Sequence, residues 1–303
     1  MATCSAAAVL CLAIVLLAAS TSGCATFGRR SPAPTEVAAS RELCAEGVAA
    51  MERGNWQQAE VLLKQALEMS PDDAESRRYL AEVLWHRGAI DDAMSEMAAA
   101  VQLDPADAEL AVRAGEMSLA KNELDAALQH ADEAIRLDST QANAWALRGR
   151  IFRRANQNDR AMADWQRSLE LAPNDANVLL DVAVLYRQRG QSARALAALH
   201  HLLDIYPPGE EPQAALMLEG LALMDLQRPH QAVDSLVAAA RRGPPSAEVL
   251  YFLAQAQWSA GRYAEATAAA EQALAIDGSH QASRQLLLQM ASHEPLTSEK
   301  GQY

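Results

Sequence analysis

Histidine and carboxylate side chains are the residues in this 303-residue sequence that offer metal binding or acid–base chemistry. His200 and His201 are adjacent, and a helix would point them about 100° apart, so they do not make a shared metal site. His130 and Glu133 lie one helical turn apart, which is common by chance. The sequence has no glycine-rich phosphate loop, no Cys-x-x-Cys pair and no His-Glu-x-x-His motif. We therefore predict a protein that is not an enzyme and holds no metal or cofactor.

The N-terminal segment has the features of an export signal. Residues 6–19 form an apolar run that is short for a membrane span, which takes about 20 residues. Ser22-Gly23-Cys24 resembles the end of a bacterial lipobox, which implies lipidation of Cys24, and a signal-peptidase cut after Ala25 is the alternative. We expect an outer-membrane lipoprotein that faces the periplasm, or else a soluble periplasmic or secreted protein.

Composition and charge narrow the range of partners. Half of the residues are hydrophobic (50%), only 5% are aromatic, and the net charge is −13. A chain this acidic repels phosphate backbones, so we do not expect nucleic acid as a partner. Of the cysteines, only Cys44 remains once the signal and a lipidated Cys24 are set aside, so the mature chain forms no internal disulfide.

Alanines recur along the chain at a nearly constant interval. They stand at Ala59, Ala93, Ala127, Ala161, Ala195, Ala232 and Ala266. Every step is 34 residues except the 37-residue step to Ala232, for which the extra residues 210–212 account. A period of this length is typical of stacked helix–turn–helix units. Seven copies fit the sequence, at residues 40–73, 74–107, 108–141, 142–175, 176–209, 213–246 and 247–280.

A second small residue precedes each of these alanines by twelve positions. It is Gly47, Ala81, Gly115, Gly149, Ala183, Gly220 or Ala254. Small residues at both places predict that the two helices of each copy approach closely there, and that a bulky side chain would cost about 1–3 kcal/mol.

The positions between and after the helices carry turn and stop signals. The predicted turns contain Gly54, Gly88, Asn122, Asn156, Gly190, Gln227 and Gly261, and Gly and Asn tolerate a positive φ. The second helix is expected to end near Pro71, Pro105, Pro173, Pro207 or Pro244, with Ser139 and Gly278 in the other two copies. Proline suits this place because it lacks the N–H that a helix needs.

These residues resemble the tetratricopeptide repeat family over residues 40–280. The resemblance implies an all-α fold, a right-handed α-solenoid of about seven helix–turn–helix repeats with a C-terminal capping helix. We divide the chain into a signal peptide (1–23), a flexible linker (24–39), the repeats (40–280), a capping helix (281–293) and a disordered tail (294–303).

In that family the first helix of each repeat lines a concave groove, mainly through its second, fifth, ninth and twelfth residues. Carried onto this sequence, these places and one neighbour give the candidate partner-binding residues. They are Arg78, Glu82, Glu116, Arg150, Arg153, Arg154, Arg187, Met217, Leu221, Met224, Tyr251 and Trp258. An acidic end, a basic middle and an apolar far end suit an extended peptide or helix that carries both charge and apolar anchors. The alternatives are a solvated face for the arginines and packing between repeats for the apolar residues.

The function that this pattern favours is a scaffold for protein–protein interaction, with a protein or peptide partner in the groove. The exported form would work in envelope, pilus or secretion assembly. The alternative is a binding or regulatory subunit of an enzyme complex, for example one that processes polysaccharide. The oligomeric state is left open by the sequence.

Overall fold

The computed structural model describes residues 34–244 and 246–293. Within these ranges every regular element is an α-helix. The helices of the first half are α1 (Pro34–Glu52), α2 (Trp56–Met69), α3 (Ala74–His86), α4 (Ile90–Leu103), α5 (Ala108–Ala120), α6 (Leu124–Leu137) and α7 (Ala142–Arg154). Those of the second half are α8 (Asn158–Leu171), α9 (Ala176–Gln188), α10 (Ser192–Leu203), α11 (Gln213–Asp225), α12 (Pro229–Arg242), α13 (Ala247–Ser259), α14 (Tyr263–Ile276) and α15 (Gln281–His293). The predicted all-α repeat fold is confirmed.

The chain forms two compact units, divided between Ala93 and Met94 within α4. In the described part of the first unit, α1 packs against α2, and α2 packs against α3. Leu63, Leu80 and Val83 lie in its core. In the second unit each odd-numbered helix from α5 to α13 pairs with the helix that follows it, and α15 packs on α14.

The first helix begins earlier than the sequence predicts. The predicted flexible linker ends at residue 39, whereas α1 starts at Pro34, so residues 34–39 are helical. A proline is accepted in the first helical turn because its missing N–H would have no intrahelical partner there. Buried Ser40 then donates a 2.9 Å hydrogen bond to the Ala66 carbonyl oxygen and joins α1 to α2. Cys24, the predicted signal peptide and the predicted tail lie outside the described residues.

The turns inside the helix pairs have the backbone that the sequence predicts. All seven turn residues adopt positive φ, among them Asn122 at 62°, Asn156 at 59° and Gln227 at 58°. The second helices also end at the expected places, two to four residues before each proline. In the two copies that lack the proline, α6 ends at Leu137 and α14 at Ile276.

The helices of a pair approach closely at the glycines of the first helices, and the nearest atoms there belong to large side chains. The alanines of the second helices are fully buried. A Cβ on Gly149 would stand 2.5 Å from the Trp165 ring, and one on Gly220 would stand 2.5 Å from Leu236 Cγ. In these copies a large side chain of the second helix lies over the glycine of the first. A Cβ on Gly115 would instead stand 2.7 Å from Leu147 of the next repeat and 3.4 Å from the Ala127 carbonyl oxygen.

The three extra residues 210–212 lie in the loop between α10 and α11. Glu211 forms a 2.7 Å ion pair with Arg242 at the end of α12, and its Oε2 accepts a 2.9 Å hydrogen bond from the Gly209 N–H. A hydrogen bond with the backbone of Glu211 itself is the main cause of the lowered pKa of its carboxyl, and the bonds from Arg242 and from the Gly209 N–H lower this pKa further. The insertion is thus held against the following repeat.

Candidate functional site

The first helices of successive repeats lie side by side in the second unit. Besides its own second helix, α5 contacts α7, α9 contacts α11, and α11 contacts α13. The sequence-predicted groove residues of this unit all stand on these five helices. The candidate site is therefore the surface that these neighbouring helices present together.

An apolar strip covers the last three of these helices. We define it as Leu180, Val184, Met217, Leu221, Met224, Tyr251 and Trp258. Each of these side chains is half-buried and packs against a hydrophobic core, so each keeps one part in the core and one part in solvent. Met217, Leu221, Met224, Tyr251 and Trp258 were predicted to line the groove, and their partial exposure is compatible with that role. Methionine and aromatic side chains at a partly exposed surface are typical of adaptable binding sites.

Ring contacts hold the aromatic end of the apolar strip in place. Tyr251 meets the His280 ring edge-on at 5.5 Å, and its hydroxyl accepts a 2.8 Å hydrogen bond from Gln255. Trp258 meets Tyr263 edge-on at 4.6 Å. Such contacts fix the ring orientations before any partner arrives, which reduces the entropy lost on binding.

The fifth place of the first helix is buried in the third and fourth repeats. Val112 and Ala146 occupy the position of Met217 and Tyr251, yet both are buried. Val112 packs with Leu147 and Ile151, and Ala146 with Phe152 and Trp165. At this place, therefore, α5 and α7 present no apolar side chain to a partner.

The predicted basic middle of the groove is largely neutralised by aspartates of the next repeat. Arg150 on α7 pairs with Asp181 on α9 at 2.9 Å, and Arg187 on α9 pairs with Asp225 on α11 at 2.9 Å. Ser192 Oγ donates to the same Asp225 carboxylate at 3.1 Å. These arginines therefore link the first helices of neighbouring repeats, a role that the sequence did not predict for them.

The two remaining arginines of this group bind amides. Arg153 donates to Asn158 Oδ1 at 2.9 Å and also to Gln188, whereas Arg154 reaches Asn122 Oδ1 at 3.4 Å. Arg154 is exposed and the more accessible of the two. Glu116 pairs with Arg113 of its own helix at 2.9 Å.

In the first unit, the predicted groove residues pair with each other. Arg78 and Glu82 stand one turn apart on α3 and form a 3.1 Å ion pair. The Arg78 guanidinium also lies 4.0 Å from the centre of the Tyr79 ring. This wall of the first unit therefore already accommodates a guanidinium between a carboxylate and an aromatic ring.

Arg148 has a structural role instead. It makes two hydrogen bonds to the buried Asp164 on α8, at 2.8 and 2.9 Å, and one to Asp132 on α6 at 2.8 Å. The bonds that Arg148 donates to Asp164, more than the one that it donates to Asp132, raise the pKa of the guanidinium above its usual value. Arg148 thus ties three helices of the third and fourth repeats together.

Sequence reasoning missed the aspartates, because nothing in their local sequence marks them as partners. Asp181 and Asp225 stand 31 and 38 residues after their arginines. A search for opposite charges about one repeat apart would have found Asp181. Asp225 escapes such a search because the insertion at residues 210–212 shifts the register.

No group of three His, Cys, Asp or Glu side chains within residues 34–244 and 246–293 is arranged to hold a metal ion. His200 Nε2 lies 3.0 Å from Glu219 and His201 Nε2 lies 3.1 Å from Asn174, so the two histidines face different partners. Burial lowers the pKa of His130. In the same described ranges, no helix is both long enough and apolar enough to cross a membrane.

Helix pairs joined by turns with positive φ, with first helices in contact across neighbouring repeats, are the architecture of a helical repeat protein. The tetratricopeptide repeat profile matches residues 44–108, 146–210 and 217–281, which is more than half of the chain. The chain belongs to the tetratricopeptide repeat family. Proteins of this family bind other proteins. No curated protein sequence matches the chain significantly.

Solved structures of several repeat proteins resemble this one. PilF of Pseudomonas aeruginosa has a TM-score of 0.64 at 22% identity, over 73% of this chain and 99% of that one. PilW, described as a widely conserved type IV pilus biogenesis factor, has a TM-score of 0.60 at 18% identity, over 67% and 92%. A tetratricopeptide repeat protein of Parabacteroides merdae gives 0.58 at 15%, over 84% and 99%. At these identities the likeness shows the fold.

Proposed function

We propose that this protein is a non-enzymatic scaffold that binds a protein or peptide partner on the apolar strip of α9, α11 and α13. The observation that carries the proposal is the partial exposure of seven apolar side chains on three adjacent first helices. A surface that contacts only water would not carry seven partly exposed apolar side chains so close together. Apolar anchors that are held in place by the core supply most of the energy of such an interface.

The charges beside the strip set a further property of the partner. Because Arg150 and Arg187 are already paired with Asp181 and Asp225, binding does not depend on a strongly acidic partner. Exposed Arg154 is the predicted groove arginine that is most accessible to a partner carboxylate. The partner is therefore an amphipathic segment whose apolar side chains face α9, α11 and α13.

The proposed setting is the bacterial envelope, with the chain exported and anchored through lipid on Cys24. The lipobox-like Ser22-Gly23-Cys24 and the apolar run before it support this setting. The fold that the chain shares with PilF and the pilus biogenesis factor PilW is compatible with a role in pilus, secretion or envelope assembly.

A photo-cross-linking residue at Leu221 in living cells tests the binding surface. We expect defined adducts, and we expect the double variant Met217→Gln and Met224→Gln to lose most of them, because glutamine keeps the length of methionine but not its apolar character. Met69→Gln, a half-buried methionine on a second helix, is the matched control. Adducts that persist in the double variant, or that form equally from a cross-linker at exposed Val61, would place the interface elsewhere.

A further inference from the structure

A cavity of about 350 Å³ lies between α1 and α3 in the first unit, and no residue of the apolar strip lines it. Cys44, Ala45, Val48, Ala49 and Tyr79 form its floor and walls. Charged residues stand around its rim: Arg41, Glu52, Asp73 and Glu75. At this volume it is at the lower end of the range for ligand cavities, about 300–1,000 Å³. We call it the α1–α3 cavity.

Carboxylates outnumber basic side chains in the lining of the cavity. Three carboxylates face one arginine, and among the described residues neither Glu52 nor Glu75 forms an ion pair. Elsewhere on α3, by contrast, Glu82 is paired with Arg78. Burial is the main cause of the raised pKa of the Cys44 thiol; a hydrogen bond of Ser76 and the charge of Arg78 lower it, and the charges of Glu75 and Asp73 raise it. The charged residues that line the cavity thus leave it with a net negative charge.

Asp73 departs from the repeat pattern in a way that turns it toward the cavity. The equivalent residues Asp107 and Asp175 cap the next helix, each accepting two backbone N–H hydrogen bonds. Asp73 precedes α3 in the same way, yet its side chain makes no capping bond and accepts instead from Ser76 Oγ at 2.5 Å. Forgoing a cap costs about 1 kcal/mol, so the arrangement is not the one that helix stability alone selects.

Ser76 is itself unusual for its place. It is fully buried, and the corresponding residues of the next three repeats are Leu110, Ala144 and Val178, all apolar. The Ser76 hydroxyl also lowers the pKa of the Cys44 thiol, against the larger effect of burial. A hydroxyl that is bonded to a carboxylate thus replaces the apolar residue of the next three repeats.

We propose that the α1–α3 cavity binds a lysine or arginine side chain of the protein partner. The rim carboxylates pair with the cation, and the small apolar floor receives the methylene stem, as long basic side chains require. Tyr79, which lines the cavity, packs against the guanidinium of Arg78, whose charge is paired with Glu82. The inference rests on the proposed function in that the cation belongs to a protein partner.

Protection of the Cys44 thiol provides the test, on the full chain. Iodoacetamide labelling is followed by mass spectrometry of the Cys44 peptide, and the probe is a nine-residue glycine–alanine peptide with a central arginine. We expect the probe to slow labelling of Cys44, which lines the cavity, in a concentration-dependent way. The same peptide with citrulline, an uncharged isostere of arginine, should not protect. Equal protection by both peptides, or by neither, overturns the proposal.

Variants of the rim carboxylates test whether these side chains are responsible for the protection of Cys44. The double variant Glu52→Gln and Glu75→Gln should raise the half-protecting probe concentration about threefold to tenfold, the worth of two exposed ion pairs. Each variant is compared with its own unprotected labelling rate, so that a changed thiol pKa does not enter. Glu42→Gln with Glu46→Gln, exposed on α1 but outside the cavity lining, should leave the concentration unchanged. No difference between the two double variants contradicts the proposal.

A last variant separates the partner from this chain as the source of the cation. Arg29 and Arg30 are the only charged residues before α1. If Arg29→Ala with Arg30→Ala lowers the half-protecting concentration severalfold, these arginines fill the cavity and the assignment to the partner is wrong. If the probe does not protect Cys44 while cross-linking from Leu221 persists, only the cavity proposal is wrong. If the probe protects Cys44 but cross-linking from Leu221 gives no defined adducts, only the proposed function is wrong.

Discussion

At the scale of single residues, the seven turns show how a repeat enforces one backbone conformation on different side chains. Six turn residues are Gly or Asn, but Gln227 adopts φ 58° in the sixth repeat. An L-residue with a Cβ in this region is strained by roughly 1–2 kcal/mol. The surrounding helices impose the turn on Gln227, so the local sequence is not what determines it.

Replacing this residue should therefore stabilise the protein. We expect Gln227→Gly to raise the free energy of unfolding by about 0.5–1 kcal/mol, since relief of strain exceeds the added entropy of the unfolded chain. Chemical denaturation measures the change. Gln231→Gly, at an exposed place within α12, should instead lower the free energy by about 1 kcal/mol. Equal effects at both positions would contradict the strain argument.

The glycine beneath Trp165 should behave in the opposite way. We expect Gly149→Ala to destabilise the protein, because its Cβ would stand 2.5 Å from the Trp165 ring, which is 1% exposed and has no room to move. Overpacking of this kind costs about 1–3 kcal/mol, more than alanine adds in helix propensity. Thermal unfolding measures the loss.

A second substitution distinguishes overpacking from other causes. The smaller ring in Trp165→Phe should make room for the new methyl group, so that the Gly149→Ala substitution costs less in that background than in the native one. A double-mutant cycle gives this coupling energy. A coupling of zero would show that contact with Trp165 is not the reason for the loss.

At the scale of helices, the sequence predicted the positions of the helices better than the contacts between repeats. Periodic alanines, turn glycines and prolines act locally, so they located the helix pairs and the confirmed repeat fold. The start of α1 at Pro34 was missed because Pro32 and Pro34 are typical of a linker, whereas a proline at the first position of a helix is compatible with helix formation. Contacts between repeats, such as Arg150 with Asp181, depend on the rotation from one repeat to the next, which no local pattern records.

For the candidate site, too, the sequence predicted the positions of residues but not their contacts with other repeats. Family spacing located the half-buried Met217, Leu221 and Met224 on the first helices, because side-chain direction follows from helical period. It did not distinguish them from Val112, which is buried at the corresponding place. Burial depends on the size of the neighbouring residues, and those belong to another repeat. Binding by the predicted groove residues therefore stays a prediction.

The bonds of Arg148 allow a comparison of buried and exposed partners on one side chain. We expect Asp164→Asn to lower the free energy of unfolding by about 2 kcal/mol, because it removes the charge from a buried, doubly hydrogen-bonded contact. Asp132→Asn, whose side chain is 54% exposed, should cost less than about 1 kcal/mol. Urea denaturation gives both values, and a larger loss for Asp132→Asn would contradict the structural role assigned to Asp164.

At the scale of the whole molecule, the net charge and the N-terminal segment bear on whether the protein is held at a membrane. A net charge of −13 opposes adsorption to anionic lipid, so a membrane location has to come from a specific anchor. Arg29 and Arg30 would offset only a small part of that repulsion, about 1 kcal/mol each near such a surface. Lipid on Cys24 supplies far more, provided that more than one acyl chain is attached, since a single chain binds membranes only marginally.

The anchor is tested by growth with a clickable fatty-acid analogue. We expect the protein to carry the label and to fractionate with membranes, and we expect Cys24→Ala to lose both, because the thiol is the acceptor of the lipid. Cys11→Ala, within the apolar run of the signal, is the control and should leave label and location unchanged. A protein that remains unlabelled would favour cleavage after Ala25 and a soluble protein, whereas a label that survives Cys24→Ala would show that the lipid is attached at another residue. The binding proposals for the apolar strip and the α1–α3 cavity would survive either outcome, since neither uses the anchor.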